Sequence, residues 1–261
     1  MSIRVGVSGA AGRMGSEVCR AVAGADDLEL VCAVDPGADG QRLQDVAGVG
    51  GEIEIAGELD ALTDAGVEVV VDFTHPDAVA GNVTWFLERG IHAVVGTTGI
   101  TDGDLDRLRE LAEGSDANAF FAPNFAIGAV LMMRFAEQAA RHLPHVEVIE
   151  LHHDGKAEAP SGTSLSTADR IAAARAEAPD PVLGEILDGA RGADRGGIRV
   201  HSVRLPGLVA HQEVIFGGEG QTLTIRHDSV DRVSFMPGVL LAVRRVAELD
   251  GLVVGLDTLL E

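Results

Sequence analysis

The sequence predicts an α/β protein in two parts: a doubly wound domain with a parallel sheet, and a smaller α+β domain with a mostly antiparallel or mixed sheet. Three observations carry this. Residues 1–125 alternate short apolar runs with helical patterns, the signature of parallel strands joined by crossover helices. A glycine-rich turn, "SGAAGRMG", links the first run to the first helical pattern. Beyond Phe125 the period changes, and three β-rich segments follow with hairpin punctuation between them.

In chain order, apolar runs at 3–8, 28–35, 67–73, 92–96 and 117–122 predict strands, and helical patterns at 12–24, 76–89 and 101–114 predict the crossovers. A helix over 128–142, a strand over 145–151 and a helix over 163–177 come next. Residues 178–197, "APDPVLGEILDGARGADRGG", are rich in Pro, Gly and charge and predict a long loop. The β-rich segments at 198–205, 208–217 and 220–229 are separated by "PG" and "GGEG". An amphipathic helix over 236–248 ends the pattern and is expected to pack back on the first domain. The expected domains are 1–125, joined by the helix and tail 236–261, and 126–235.

With 261 residues, 46% of them apolar, the chain has ample material for a core. A formal charge of −21 argues against nucleic acid or an anionic membrane as partner, since both require a concentrated basic face. The first residues, "MSIRVGVSGAAG", run straight into a strand pattern without the apolar stretch of a signal peptide. The most apolar region, 119–133, is broken by Pro123, Asn124 and Gly128, so no membrane span is expected. These features predict a soluble, cytoplasmic protein. Cys19 and Cys32 sit among apolar residues and are expected to be free, buried thiols.

The glycines of the first turn fall at 9, 12 and 15, and Ala10 stands where the strict Gly-x-Gly-x-x-Gly fingerprint has its first glycine. A tight structural turn is the simpler alternative. The context favours a Rossmann-type dinucleotide site, because a strand precedes, a helix follows, and the second strand ends at Asp35, twenty residues after Gly15. There a carboxylate can bond the adenosine ribose hydroxyls, while the helix start offers N–H groups to the pyrophosphate. "GTTG" at 96–99 and "APNF" at 122–125 each follow a parallel strand at its C-terminal edge, where Phe125 can pack against a nicotinamide ring.

Residues 150–163, "ELHHDGKAEAPSGT", hold the reacting groups. Pro160, Ser161 and Gly162 lead into a helix start near Thr163, so the N–H groups of Gly162 and Thr163 can bind a carboxylate. Lys156 and His153 suit a second anionic group, and His152 is the proton carrier that changes state near neutral pH. Taken singly, each has an ordinary structural role, as a strand-end histidine or a helix cap. Adjacent strand histidines point to opposite faces, and no Cys or H-x-x-E-type partner has suitable spacing, so no metal site is expected.

The segments "GAAGRMG", "VDFTHPDAV", "VVGTTG", "APNFAIG", "ELHHDGKAEAPSGT", "VRLPGLVAHQEV" and "RHDSVDRVSFMPGVLLAVR" together resemble the dihydrodipicolinate reductase family over nearly the whole chain. The resemblance implies reduction of 4-hydroxy-tetrahydrodipicolinate, or dihydrodipicolinate, in diaminopimelate and lysine biosynthesis. Hydride passes from a nicotinamide to the ring carbon conjugated with the C=N bond, the adjacent carbon is protonated, and His152 and Lys156 take the acid roles. It places the cofactor on Gly9, Ala10, Ala11, Gly12, Arg13, Met14, Asp35, Gly96, Thr97, Thr98, Ala122, Pro123, Asn124 and Phe125. The substrate's carboxylates fall to His153, Lys156, Gly162 and Thr163. It further implies a homotetramer joined through the sheets of the second domain. One departure stands out: Asp154-Gly155 replaces the histidine that many relatives carry immediately before the lysine. Asp35 followed by Pro36 predicts that NADH is preferred, with NADPH also used. A different two-domain nicotinamide oxidoreductase and a silent dinucleotide sensor are the competing readings.

Overall fold

The computed structural model describes residues 2–175, 177 and 184–260. The chain divides into two compact units, the first formed by residues up to Phe125 together with those from Phe235 onward, the second by residues 126–234.

In the first unit the strands are β1 (Ile3–Ser8), β2 (Leu28–Val34), β3 (Val69–Asp72), β4 (His92–Val95) and β5 (Ala119–Phe121). The helices are α1 (Arg13–Ala23), the short α2 (Leu43–Ala47) and α3 (Asp60–Asp64), α4 (Pro76–Glu88) and α5 (Asp102–Glu113). All pairings in this sheet are parallel. Its central strands are buried along their whole length, β3 at every residue, because a parallel sheet covered on both faces leaves no polar side. Local chemistry starts the helices: Pro76 sits in the first turn of α4, and the Thr101 hydroxyl accepts the Asp104 amide at 3.1 Å to cap α5.

β1 lies between β2 and β3, so the chain order reverses there, and the crevice beyond the C-terminal strand ends is the place where such sheets bind ligands.

In the second unit α6 (Ile127–Ala140) and α7 (Gly162–Ala174) pack on a five-stranded sheet of β6 (His145–His152), β7 (Ala193–Arg195), β8 (Ile198–Arg204), β9 (Ala210–Gly218) and β10 (Gln221–Ser229). The strand order is β10-β9-β6-β8-β7, with β6 and β8 parallel and the other pairs antiparallel. The sheet is therefore mixed. Burial alternates along the middle of β6 and β9, with Val146, Val148, Glu150, Gln212, Val214 and Phe216 buried and the residues between them half-buried, as expected when one face meets helices.

The first unit is completed from the C-terminus. After α8 (Met236–Arg245), a strand absent from the predicted pattern, β11 (Leu252–Val254), adds a sixth parallel strand beside β5. Three residues are too few to show a period, and only the partner strand defines it. β7 is likewise three residues long, and lies within the segment expected to be loop; residues 178–183 of that expected loop lie outside the described residues. Cys19 and Cys32 are free and buried, and burial pushes their thiols up to about 12 and about 11. Among the described residues no helix is long and apolar enough to cross a membrane.

The glycine turn is set by close backbone approach. Gly9 has φ +78°, and a Cβ on Gly15 would stand 2.0 Å from the Gly9 carbonyl oxygen. Gly15→Ala is therefore expected to force α1 away from β1 and cost about 1–3 kcal/mol, as other overpacked sites do. Thermal unfolding of the variant, which should melt several degrees lower, checks this.

Candidate functional site

At the dinucleotide side, Gly9 and Ala10 donate their amides to the Val34 carbonyl at 2.8 and 3.2 Å, tying the turn to the end of β2. Gly12 caps α1 without a side-chain acceptor, which leaves the first turn of the helix facing outward with its dipole and amides, the usual anion cradle. The Asp35 carboxylate is built into the same corner: Oδ2 accepts the Ala11 amide and Oδ1 the Gly37 amide, each at 3.0 Å. A cavity of about 540 Å³ opens here, lined among others by Gly9, Gly12, Asp35, Pro36, Glu58 and His75. A second, of about 270 Å³, is lined by Gly12, Arg13, Met14, Phe73, Gly96, Thr97 and Thr98. Asp35 and Arg13 thus border different cavities, on either side of the glycine turn.

A buried group outside the predicted set organises this edge. Asp72, at the end of β3, is fully buried. Its Oδ1 accepts the Thr74 hydroxyl at 2.7 Å and the Thr97 hydroxyl at 2.9 Å, and its Oδ2 accepts the Asn82 amide at 2.9 Å. The Thr97 hydroxyl in turn accepts the Thr74 amide at 2.8 Å, so the Thr97 side chain is spent on fixing two loops. Phe125 is 3% exposed and packs against Phe73 and Phe120, with ring centroids at 5.9 and 6.2 Å. The ring that reaches the cavities is Phe73, which also lies over Gly96. Ala122 is buried and bonded to the Val95 carbonyl, while Pro123 is exposed beside half-buried Asn124.

In the second unit β6 runs through His152, and the chain then turns. The Lys156 amide closes the turn on the His153 carbonyl at 3.2 Å. Gly155 within it has no left-handed φ, and a Cβ there would meet only the His153 ring, at 3.3 Å. The glycine is therefore not demanded by the backbone. The Lys156 ammonium lies 3.2 Å from the exposed Glu158 carboxylate. Ser161 caps α7 by accepting the Ser164 amide at 3.2 Å, so Gly162 and Thr163 form the outermost turn of the helix.

His152 is held from behind. Its Nδ1 contacts the carboxylate of Glu150, two residues back on the same face of β6 and fully buried. Arg204 on β8 completes the group: Nη1 donates to Glu150 Oε2 at 3.0 Å and Nη2 stands 2.8 Å from Oε1. Burial alone would raise the Glu150 pKa, but hydrogen bonds from Arg204 and Ser202 and the charge of His152 outweigh it and hold the carboxyl below its usual range. Burial pushes the His152 imidazole down against the pull of Glu150, with Lys156 and Arg204 adding to the downward push.

Glu150 and Asp72 stood inside the quoted motifs but were not among the predicted site residues, since nothing in a single sequence distinguishes a buried carboxylate from a solvated one. A compositional signal did exist for Lys156: it is the only lysine in a chain with 20 Lys and Arg residues.

Comparison with known proteins agrees in both units. The N-terminal model of dihydrodipicolinate reductase matches residues 3–125 and the C-terminal model residues 128–260. A 4-hydroxy-tetrahydrodipicolinate reductase of Nocardia farcinica is 57% identical over 267 residues, covering 100% of both chains. Its counterpart in Mycolicibacterium vanbaalenii is 53% identical, covering 99% of both. Among solved structures, the dipicolinate-bound dihydrodipicolinate reductase of a Paenisporosarcina species matches with a TM-score of 0.87 at 43% identity, over 99% of each chain. The chain belongs to the dihydrodipicolinate reductase family.

Proposed function

We propose that this chain converts 4-hydroxy-tetrahydrodipicolinate, or the dihydrodipicolinate formed when that ring loses water, to tetrahydrodipicolinate with a nicotinamide dinucleotide, the 4-hydroxyl leaving as water before hydride adds, a cytoplasmic step of diaminopimelate and lysine biosynthesis. The observation that carries the reading is the strand end at His152, where an imidazole backed by a buried carboxylate is followed at once by the turn to Lys156 and the capped start of α7. Full-length identity of 57% to a reductase so named supports it.

The first unit fits the dinucleotide. The cradle that Gly9, Gly12 and Gly15 keep free of side chains suits the pyrophosphate, with Ala10, Ala11, Arg13 and Met14 around it. The cavity beside Asp35 suits the adenosine ribose, and the one bordered by Phe73, Gly96, Thr97 and Thr98, with Ala122, Pro123, Asn124 and Phe125 on the neighbouring strand end, suits the nicotinamide. When bound, the reduced nicotinamide supplies the hydride. In the second unit the Lys156 ammonium and His153 receive one substrate carboxylate, and the start of α7 at Gly162 and Thr163 receives the other through N–H groups and the helix dipole. His152 delivers a proton to the ring carbon next to the hydride acceptor, and Lys156 assists as a second acid. The face of the second sheet turned away from α6 and α7 carries half-buried Ile149, Leu151 and Ile215 between charged residues, which supports a homotetramer joined through that face.

If His152 is the proton donor, His152→Gln lowers kcat by about 10²-fold or more while leaving cofactor affinity nearly unchanged. Steady-state kinetics with freshly generated substrate and a direct cofactor titration measure both quantities, and near-normal turnover would remove His152 from the mechanism.

Pyridine-2,6-dicarboxylate should compete with substrate, and Lys156→Ala should weaken it by roughly 1.5–3 kcal/mol, the worth of a charge-assisted hydrogen bond. Calorimetry on both proteins tests this. Undiminished binding to the variant would place the dicarboxylate elsewhere.

Cofactor preference follows from the acidic corner. Asp35 is flanked by Pro36, which offers no charge, and shares its cavity with Glu58, whereas Arg13 borders the other cavity. A 2′-phosphate would meet like charge without relief, so NADH is preferred over NADPH. Asp35→Ser should shift the kcat/KM ratio about tenfold or more toward NADPH. The ratio is the proper readout, because the variant also loses two backbone hydrogen bonds worth about 1 kcal/mol each. A wild type that favours NADPH tenfold, or an unmoved ratio in the variant, would overturn the assignment.

A further inference from the structure

The buried trio Arg204–Glu150–His152 does more than the carboxylate-binding groups require. Strand register brings it together: Glu150 and His152 share one face of β6, and β8 pairs in parallel so that Ser202 lies opposite Glu150 and Arg204 opposite His152. Nδ1 of His152 points at the Glu150 carboxylate. A carboxylate there accepts a proton-bearing Nδ1, so the neutral imidazole keeps its lone pair on Nε2, the nitrogen turned away from the trio.

A buried carboxylate alone would also trap the proton it orients. In a low-dielectric site it stabilises the imidazolium and makes it a reluctant acid. Arg204 opposes this, with two nitrogens on Glu150 while also donating to the Val203 carbonyl at 2.8 Å and the Glu158 carbonyl at 2.5 Å. These backbone bonds fix the guanidinium independently of Glu150. The charged groups acting on His152 are Glu150 on its own strand, Arg204 on β8, and Lys156 in the turn, itself beside Glu158. β9 sets the uncharged Ala210 opposite His152, and the buried residues of α7 are Ser164, Thr167, Ala168 and Ile171.

We infer that Glu150 and Arg204 are a pair of positioning residues for proton transfer: Glu150 fixes the tautomer and orientation of His152 so that Nε2 delivers the proton, and Arg204 neutralises Glu150 so that the proton is released. The inference rests on His152 being the proton donor.

The test is an NMR titration of the His152 imidazole in the wild type, Glu150→Gln and Arg204→Gln, alongside pH–rate profiles. Loss of the carboxylate removes an attraction for the proton, so the His152 pKa falls in Glu150→Gln. Loss of the guanidinium removes a repulsion, so it rises in Arg204→Gln. Each shift should be roughly half a unit or more, and the alkaline limb of the rate profile, where the donor loses its proton, should move the same way. Glu150→Gln should also lower kcat by about 10²-fold or more, as in other sites where a carboxylate sets a histidine tautomer. Affinity for pyridine-2,6-dicarboxylate and for NADH should stay within about twofold. A merely structural pair would leave kcat near the wild-type value or lower affinity together with kcat, and either result, like an unmoved titration, overturns the inference. Should Glu150→Gln fail to fold because Arg204 is left unpaired, the double variant Glu150→Gln/Arg204→Gln removes both charges. It is expected to fold with reduced kcat, and wild-type turnover in it would equally overturn the assignment. Near-normal turnover in His152→Gln would instead overturn the proton-donor reading itself, a result distinct from an unmoved titration.

Discussion

A carboxylate removed from water must have its charge and lone pairs met by the protein, at a penalty of several kcal/mol otherwise. Each unit of this chain has one such group at the C-terminal end of a sheet strand: Asp72 on β3 and Glu150 on β6, both without solvent exposure. The groups that meet them shape the candidate site in each unit, Glu150 Oε1 being met by the Arg204 ion pair alone, without a hydrogen bond. Asp72 takes hydrogens from Thr74, Thr97 and Asn82, which locks the loops after β3 and β4 against each other. Glu150 takes Arg204 and His152, which fixes the His152 imidazole. The two solutions differ in kind. Asp72 is met by neutral donors and serves to hold backbone, whereas Glu150 is met by two ionisable groups and so couples to proton chemistry.

The parallel sheet explains why these positions are the ones available. Strands buried on both faces cannot carry polar side chains along their length. A polar group can appear only where the strand ends, and at the C-terminal end it meets the loops that lead into the helices. The glycine turn, Asp35, Asp72 and Gly96 obey this rule in succession along β1, β2, β3 and β4. The second sheet meets helices on one face only, so a buried polar group need not wait for a strand end: Glu150 lies two residues before the end of β6, and β6 and β8 run parallel and end together at His152 and Arg204.

Most of this organisation was legible in the residues themselves. Continuous apolar runs marked the buried strands, and Pro160, Ser161 and Gly162 marked a helix start whose cap the structure contains. What escaped was of two sorts. β7 and β11 are three residues long and exist only by virtue of partner strands far away in sequence. Asp72 and Glu150 look like any other acidic residue among 41 Asp and Glu, because burial is a property of the fold and not of the residue. The expected place of Phe125 illustrates the same limit. An aromatic at a strand end is expected to face a ligand, yet its ring closes the core and Phe73, two strands away in the sheet, borders the cavities.

Lys156 shows how composition can carry mechanistic information once the fold is known. The chain meets almost all its needs for positive charge with arginine, whose planar fork serves ion pairs such as Arg244–Asp27 and Arg195–Asp169 at 2.7 Å. Arginine holds its proton under all ordinary conditions, and its fork demands room on both sides. A chain that prefers arginine so consistently keeps an ammonium only where a compact donor, or one that can release a proton, is required. That position follows His152 by four residues and precedes the start of α7 by six. The amine therefore stands in sequence between the imidazole proposed to move a proton and the helix start proposed to bind an anion, a place where either property of lysine, compactness or exchangeable charge, has a use that a guanidinium cannot supply.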